Sequence, residues 1–152
     1  MEKVALFPGS FDPITKGHFE IVLKGLTLFD QIIIGVGTNS TKKTLYSVEQ
    51  RIKMIEDVFQ SYPNVSVVPY TGLTVAFCKS VNAGFILRGL RSGLDFEYEQ
   101  SIAFANKELD GSIETVFLLS SPSYSNISST IVRDIIANDG DYSKFVPPGL
   151  VL

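Results

Sequence analysis

Five short apolar runs, each followed by a longer stretch of helical or turn-forming residues, leave this chain few ways to fold. The runs are Val4 to Phe7, Gln31 to Val36, Val65 to Val68, Phe85 to Leu87 and Thr115 to Leu119. Unbroken runs of this length suit strands buried on both faces, as in a parallel sheet. Between them, Phe19, Val22, Leu23 and Leu26 share one helical face, and Ile52, Ile55, Val58 and Phe59 share another. The second of these helices opens on Ser47-Val48-Glu49-Gln50, which has the spacing of a capping box. Leu94 to Leu109 reads as a long helix, Ser128 to Ala137 as a further one, and Thr74 to Ser80 as a short one. Strands recurring with helices between them predict βαβ units. The expected fold is therefore a single α/β domain over residues 1–152, doubly wound and Rossmann-like. It should have a five-stranded parallel sheet with helices on both faces. No repeat, linker or low-complexity tract interrupts it.

Composition narrows the functional classes. A net charge of -3 gives no general basic field, so unspecific nucleic-acid binding is not expected. No apolar run reaches the length needed to span a membrane, and the start of the sequence lacks the pattern of a signal peptide. Cys78 is the single cysteine, which fits a core residue and a reducing, cytoplasmic setting.

In open α/β sheets, ligands bind beyond the carboxyl ends of the strands, where the chain order reverses. The loops that follow the runs are thus the places to look. The first is Pro8-Gly9-Ser10-Phe11-Asp12-Pro13-Ile14-Thr15-Lys16-Gly17-His18. It is neither a dinucleotide fingerprint nor a Walker A loop. Its prolines and glycines fix a tight path with close backbone approach. His18, the single histidine, stands where the first helix should begin, a place that favours phosphate. Read alone, it is equally a cap or a packing residue. The polar loop Gly37 to Thr44 carries Lys42 and Lys43, and Arg88-Gly89-Leu90-Arg91 follows the fourth run. Arginine there suits bidentate phosphate recognition. Glu97 and Glu99 lie two apart on a predicted helix and cannot act as a facing pair. Ser128-Ser129-Thr130 should present hydroxyls and free N–H groups together at a helix start.

The string Gly9 to Pro13 followed by Thr15-Lys16-Gly17-His18 resembles the T/H-x-G-H signature of the adenylyl- and cytidylyltransferase superfamily. Arg88-Gly89-Leu90-Arg91 with Asp95-Phe96-Glu97-Tyr98-Glu99, and Ile127-Ser128-Ser129-Thr130, resemble the phosphopantetheine adenylyltransferase family in particular. The first motif and the serine loop alone also admit relatives that act on nicotinamide mononucleotide or glycerol 3-phosphate. A regulatory module without catalysis would be marked by loss of His18 or Lys42, and both are present.

The resemblance runs from Gly9 to about Gly140-Asp141, and relatives carry a further helix after the position of Pro147-Pro148. It implies adenylyl transfer from ATP, with magnesium, to 4'-phosphopantetheine, and a homohexamer. His18 and Lys42 are implied to be catalytic. Ser10, Lys42, Thr74 and Arg88 would hold phosphopantetheine. ATP would meet Ser10, Phe11, His18, Gly89, Leu90, Arg91 and Glu99, together with Tyr124, Ser125, Asn126, Ile127, Ser128, Ser129 and Thr130. No carboxylate cluster forms a dedicated metal site, and coenzyme A is a candidate feedback ligand because it shares most of the acceptor's structure.

Overall fold

The computed structural model describes residues 1–39 and 41–152; Ser40, within the polar loop, lies outside them. The chain runs β1 (Val4–Gly9), α1 (Lys16–Gly25), β2 (Gln31–Gly37), α2 (Val48–Phe59) and β3 (Val65–Tyr70). It continues through α3 (Thr74–Ser80), β4 (Phe85–Leu90), α4 (Gly93–Leu109), β5 (Glu114–Leu119) and α5 (Ser129–Ala137). A single 3-10 turn, Tyr142–Lys144, comes last. All strand pairs are parallel, in the order β3-β2-β1-β4-β5. The direction of winding therefore reverses between β1 and β4, which opens a crevice beyond Gly9 and Leu90.

Strand alternation assigns the two faces. Ala5, Phe7, Ile32, Ile34 and Leu87 point towards α1 and α2, where they meet Val22, Ile55 and Phe59. Val4, Leu6, Ile33 and Ile86 point the other way, onto Val75 and Cys78 of α3. Helices thus cover both faces. The expectation that every strand is buried on both sides holds for β1 and β2 but not for the edges. Residues of β3 and β5 are mostly half-buried, and Leu119 is exposed. An edge strand has a neighbour on one side only, so its outer rim stays open. The helix α4 also departs from a simple covering role, since no residue of it is fully buried. Leu94 is 79% exposed and Phe104 63%.

The helix starts follow from their caps. Ser47 and Gln50 form the expected capping box, and Ser128 accepts from the Ile131 N–H as the cap of α5. At the far end of α1 the fit is tight. A Cβ on Gly25 would lie 2.7 Å from Ile32 Cδ1 and 2.8 Å from Leu87 Cδ2, both in the core. Gly25→Ala gains helix propensity but overpacks this contact, at a net cost of about 1–2 kcal/mol. Thermal denaturation should show a midpoint lower by several degrees, and unchanged KM values would confirm that the effect is confined to packing.

Candidate active site

Two cavities adjoin at the crevice between β1 and β4. One, of about 300 Å³, lies over α1 and includes Phe11, Thr15, Gly17, His18, Gly89 and Arg91. The other, of about 800 Å³, lies towards α4 and includes Thr38, Asn39, Lys42, Tyr70, Thr74 and Tyr98. Pro8, Gly9, Ser10, Arg88 and Glu99 line both and form the boundary between them.

His18 occupies the third position of α1, and its backbone N–H donates to Thr15 Oγ1 at 3.4 Å. In return, the Thr15 N–H donates to His18 Nδ1 at 3.1 Å. The side chain therefore does cap the helix, and this has a chemical consequence. A backbone N–H can only donate, so Nδ1 must be the unprotonated nitrogen, and the proton of the neutral ring resides on Nε2. The ring is packed edge-on against Phe11, with centroids 4.9 Å apart, and beside Phe7 at 6.2 Å. Burial pushes the imidazolium down to a pKa of about 4, and the charges of Arg88 and Arg91 add to this. At neutral pH His18 is an uncharged hydrogen-bond donor in a cleft.

The same shift links His18 to stability. Between about pH 6.5 and 4 the unfolded chain binds a proton that the folded ring refuses. Stability is therefore lost as pH falls through that window. Thermal midpoints measured from pH 7 to 4.5 should drop more steeply in the parent protein than in His18→Asn, which lacks the titrating group.

Phe11 sets the position of this ring. Its φ of +48° is unusual for an aromatic residue, yet it is only 2% exposed. A Cβ on Gly9 would come within 3.0 Å of the Phe11 ring, so glycine is what lets the turn close around it. Beneath the turn, Asp12 is 3% exposed, and its carboxylate accepts the Leu45 and Tyr46 N–H groups at 2.8 and 2.9 Å.

The arginines are both paired. Arg88 Nε and Nη2 donate to the two oxygens of Glu99 at 2.7 and 2.6 Å, and Nη1 donates to the Pro8 carbonyl at 2.6 Å. Arg91 pairs with Asp95 at 3.2 Å. A phosphate entering here meets guanidinium groups already oriented by carboxylates. Both arginines line the same cavity as Gly17 and Ser129, whose first-turn N–H groups have no intrahelical acceptor.

On the β5 side, Glu20 of α1 accepts from both the N–H and the hydroxyl of Ser121, and pairs with Lys24 at 3.2 Å. Lys24 in turn donates to the Leu119 carbonyl at 2.7 Å. Ser129 Oγ donates to the Pro13 carbonyl at 2.8 Å, and Ile127, Ser128 and Ser129 line the first cavity. Leu90, Tyr124, Ser125, Asn126 and Thr130 do not line either cavity. Leu90 is buried in the core, and the hydroxyl of Ser125 turns back to the Pro122 carbonyl. Of the residues read from sequence, Ser10, Phe11, His18, Gly89, Arg91, Glu99 and 127–129 gather at the first cavity. Ser10, Lys42, Thr74 and Arg88 gather at the second.

Comparison with known proteins decides the family. Residues 6–135 match the cytidylyltransferase-like family. A phosphopantetheine adenylyltransferase of Flavobacterium psychrophilum is 53% identical over 143 residues, 94% of each chain. Another, from Lachnoclostridium phytofermentans, is 47% identical over 149 residues, 98% of this chain and 91% of its own. The chain belongs to the phosphopantetheine adenylyltransferase family. Fold likeness reaches further. The structure of a bifunctional NMN adenylyltransferase/ADP ribose pyrophosphatase from Francisella tularensis superposes with a TM-score of 0.75 at 18% identity. It covers 96% of this chain, which spans only 45% of that protein.

Three features of this family member escape sequence reading. Asp12 is visible there only as part of a motif string, not as the acceptor that holds Leu45 and Tyr46. Asp95 does not announce itself as the partner of Arg91. Arg51 goes unnoticed, although it is 3% exposed. Its signal is present: 51, 55 and 59 share one face of α2, so a charge sits on the inward stripe.

Among the described residues no helix is long and apolar enough to cross a membrane, and no group of three His, Cys, Asp or Glu side chains is placed to hold a metal ion.

Proposed function

We propose that the protein transfers the adenylyl group of ATP to 4'-phosphopantetheine, giving dephospho-coenzyme A and pyrophosphate, a step of coenzyme A biosynthesis. The observation that carries this reading is the pair of adjoining cavities with one shared, arginine-bearing boundary. ATP would occupy the first, with its triphosphate against the starts of α1 and α5. The acceptor would lie in the second, its phosphate near Ser10, Lys42 and Arg88. ATP would be taken as its magnesium complex, and the boundary carboxylates Asp95 and Glu99 are engaged by arginines.

The acceptor phosphate is already ionised at neutral pH and needs no strong base. One of its oxygens attacks the α-phosphorus in line. The bond from that phosphorus to the β-bridging oxygen breaks, and pyrophosphate leaves with the electron pair. Holding two anions in line and sharing their charge is the main catalytic task. His18 Nε2–H would donate to an α-phosphate oxygen, and Lys42 would bridge the two substrates.

Further parts of this reading concern the surroundings of the site. The exposed apolar residues of α4, including Leu94, Tyr98 and Phe104, support self-association, and the family resemblance makes that assembly a homohexamer. A lone, buried Cys78 suits the cytoplasm. Coenzyme A would compete with phosphopantetheine for the second cavity.

Pyrophosphate release with ATP, magnesium and a panel of phosphorylated acceptors tests the assignment. Release should require phosphopantetheine and fall when coenzyme A is added. Release with nicotinamide mononucleotide or glycerol 3-phosphate instead would keep the transfer reaction and replace the acceptor.

A further inference from the structure

Arg51 is a buried cation whose side-chain hydrogen bonds, among the described residues, all go to carbonyl oxygens. Nη1 donates to Ser10 O at 2.6 Å and to Gly37 O at 3.2 Å, and Nε donates to Tyr46 O at 3.2 Å. No ion pair involving it occurs among the described residues. Burying a guanidinium without a carboxylate is costly, and an apolar side chain of similar length would fill the same space more cheaply. A purely structural role therefore accounts poorly for a charge at this position.

The three carbonyls have a shared location. Gly37 and Tyr46 bracket the segment that carries Lys42, one at the end of β2 and the other just before α2. Ser10 belongs to the turn after β1 and lies on the boundary of both cavities. One planar fork thus joins both ends of the Lys42 segment to the Ser10 turn. Asp12 adds a second tether from the same turn, through the Leu45 and Tyr46 N–H groups. Lys42 itself is exposed and has no side-chain hydrogen bond among the described residues, so its reach depends on how its segment is anchored.

We infer that Arg51 is a positioning residue for the acceptor cavity, fixing the Lys42 segment at a set distance from Ser10 so that both can meet one phosphate. The inference rests on the proposed reaction for the identity of that phosphate. Lysine cannot replace the fork, because a single ammonium group cannot reach three carbonyls from one planar geometry. Of the residues Arg51 holds, Gly37 lines the second cavity alone and Ser10 lines both, so ATP should respond less than the acceptor.

Steady-state kinetics of Arg51→Lys and Arg51→Met, alongside thermal midpoints, test this. In Arg51→Met the KM for phosphopantetheine should rise about tenfold or more, with the KM for ATP changed less than about twofold. Arg51→Lys should recover much of the stability but keep a raised acceptor KM. If both KM values stay at the parent level and kcat falls only with the folded fraction, Arg51 merely supports the fold and the inference is overturned. Should Arg51→Met not fold, the lysine variant carries the same comparison. Should the parent protein not use phosphopantetheine at all, the proposed reaction fails separately. Amide exchange then decides about Arg51: faster exchange at Leu45 and Tyr46 in Arg51→Lys, with β2 unchanged, supports the tether, and identical exchange refutes it.

Discussion

Replacing His18 by alanine is expected to lower kcat by about two to three orders of magnitude, with the KM for ATP moved only a few-fold. The reason lies in what the ring donates and when. Thr15 N–H occupies Nδ1, so Nε2 carries the proton as a neutral donor on a ring that lines the first cavity. A neutral donor gains most when negative charge accumulates on the α-phosphate, and less when ATP simply binds. The substitution also removes half of a capping box, at a cost of about 1 kcal/mol to the start of α1. That loss appears in the thermal midpoint and is too small to account for the fall in kcat. Steady-state kinetics with circular dichroism separates the two effects. A kcat within threefold of the parent would restrict His18 to its capping role.

Arg88→Met should produce the other large loss. The Arg88 side chain is 29% exposed and that of Glu99 11%, so the pair is neither fully buried nor a surface contact. Removing the cation leaves a carboxylate in a poorly hydrated place and also frees the Pro8 carbonyl. A stability cost of about 1–3 kcal/mol follows, below the range for fully buried pairs because solvent still reaches the arginine. Since Arg88 belongs to both cavities, kcat/KM should fall about a hundredfold for each substrate. Arg91→Met makes an informative contrast. Its pair with Asp95 is 43% and 29% exposed, so its stability cost should stay under about 1 kcal/mol. A double-mutant cycle over Arg88 and Glu99 checks the coupling, and additive effects would show that the pair does not hold the boundary.

Much of the architecture can be read from periodicity. The limits of α3, Thr74 to Ser80, coincide with the expected ones, and the capping box at Ser47 appears as its spacing implies. Strand ends are less visible. The apolar run of β4 stops at Leu87, but pairing with β5 continues through Arg88 and Gly89 to Leu90. Those polar and small residues are part of the strand because a parallel neighbour supplies their hydrogen bonds, which no hydropathy pattern records. The edges of the sheet read as buried for a related reason: an apolar run shows that a strand can be covered, not which strands have two neighbours.

The candidate site is legible where a single segment carries the geometry, as with Gly17 and His18, or with Ser128 and Ser129. It is obscure where side-chain direction depends on turns. The Tyr124 N–H closes a turn on Ser121 and that of Ile127 closes another on Tyr124, which swings Ile127 to Ser129 into the cavity and leaves 124–126 outside. Contacts spanning distant segments are the least visible. Arg51 to Ser10 and Asp12 to Leu45 join residues more than thirty positions apart, and only the fold brings them together.

The most direct measurement follows the α-phosphate itself. ATP labelled at that position should transfer its label to phosphopantetheine with pyrophosphate released in equal amount, and folded protein recovered during turnover should carry none. Label bound covalently to the protein, or released only as AMP, would contradict direct transfer between the two cavities.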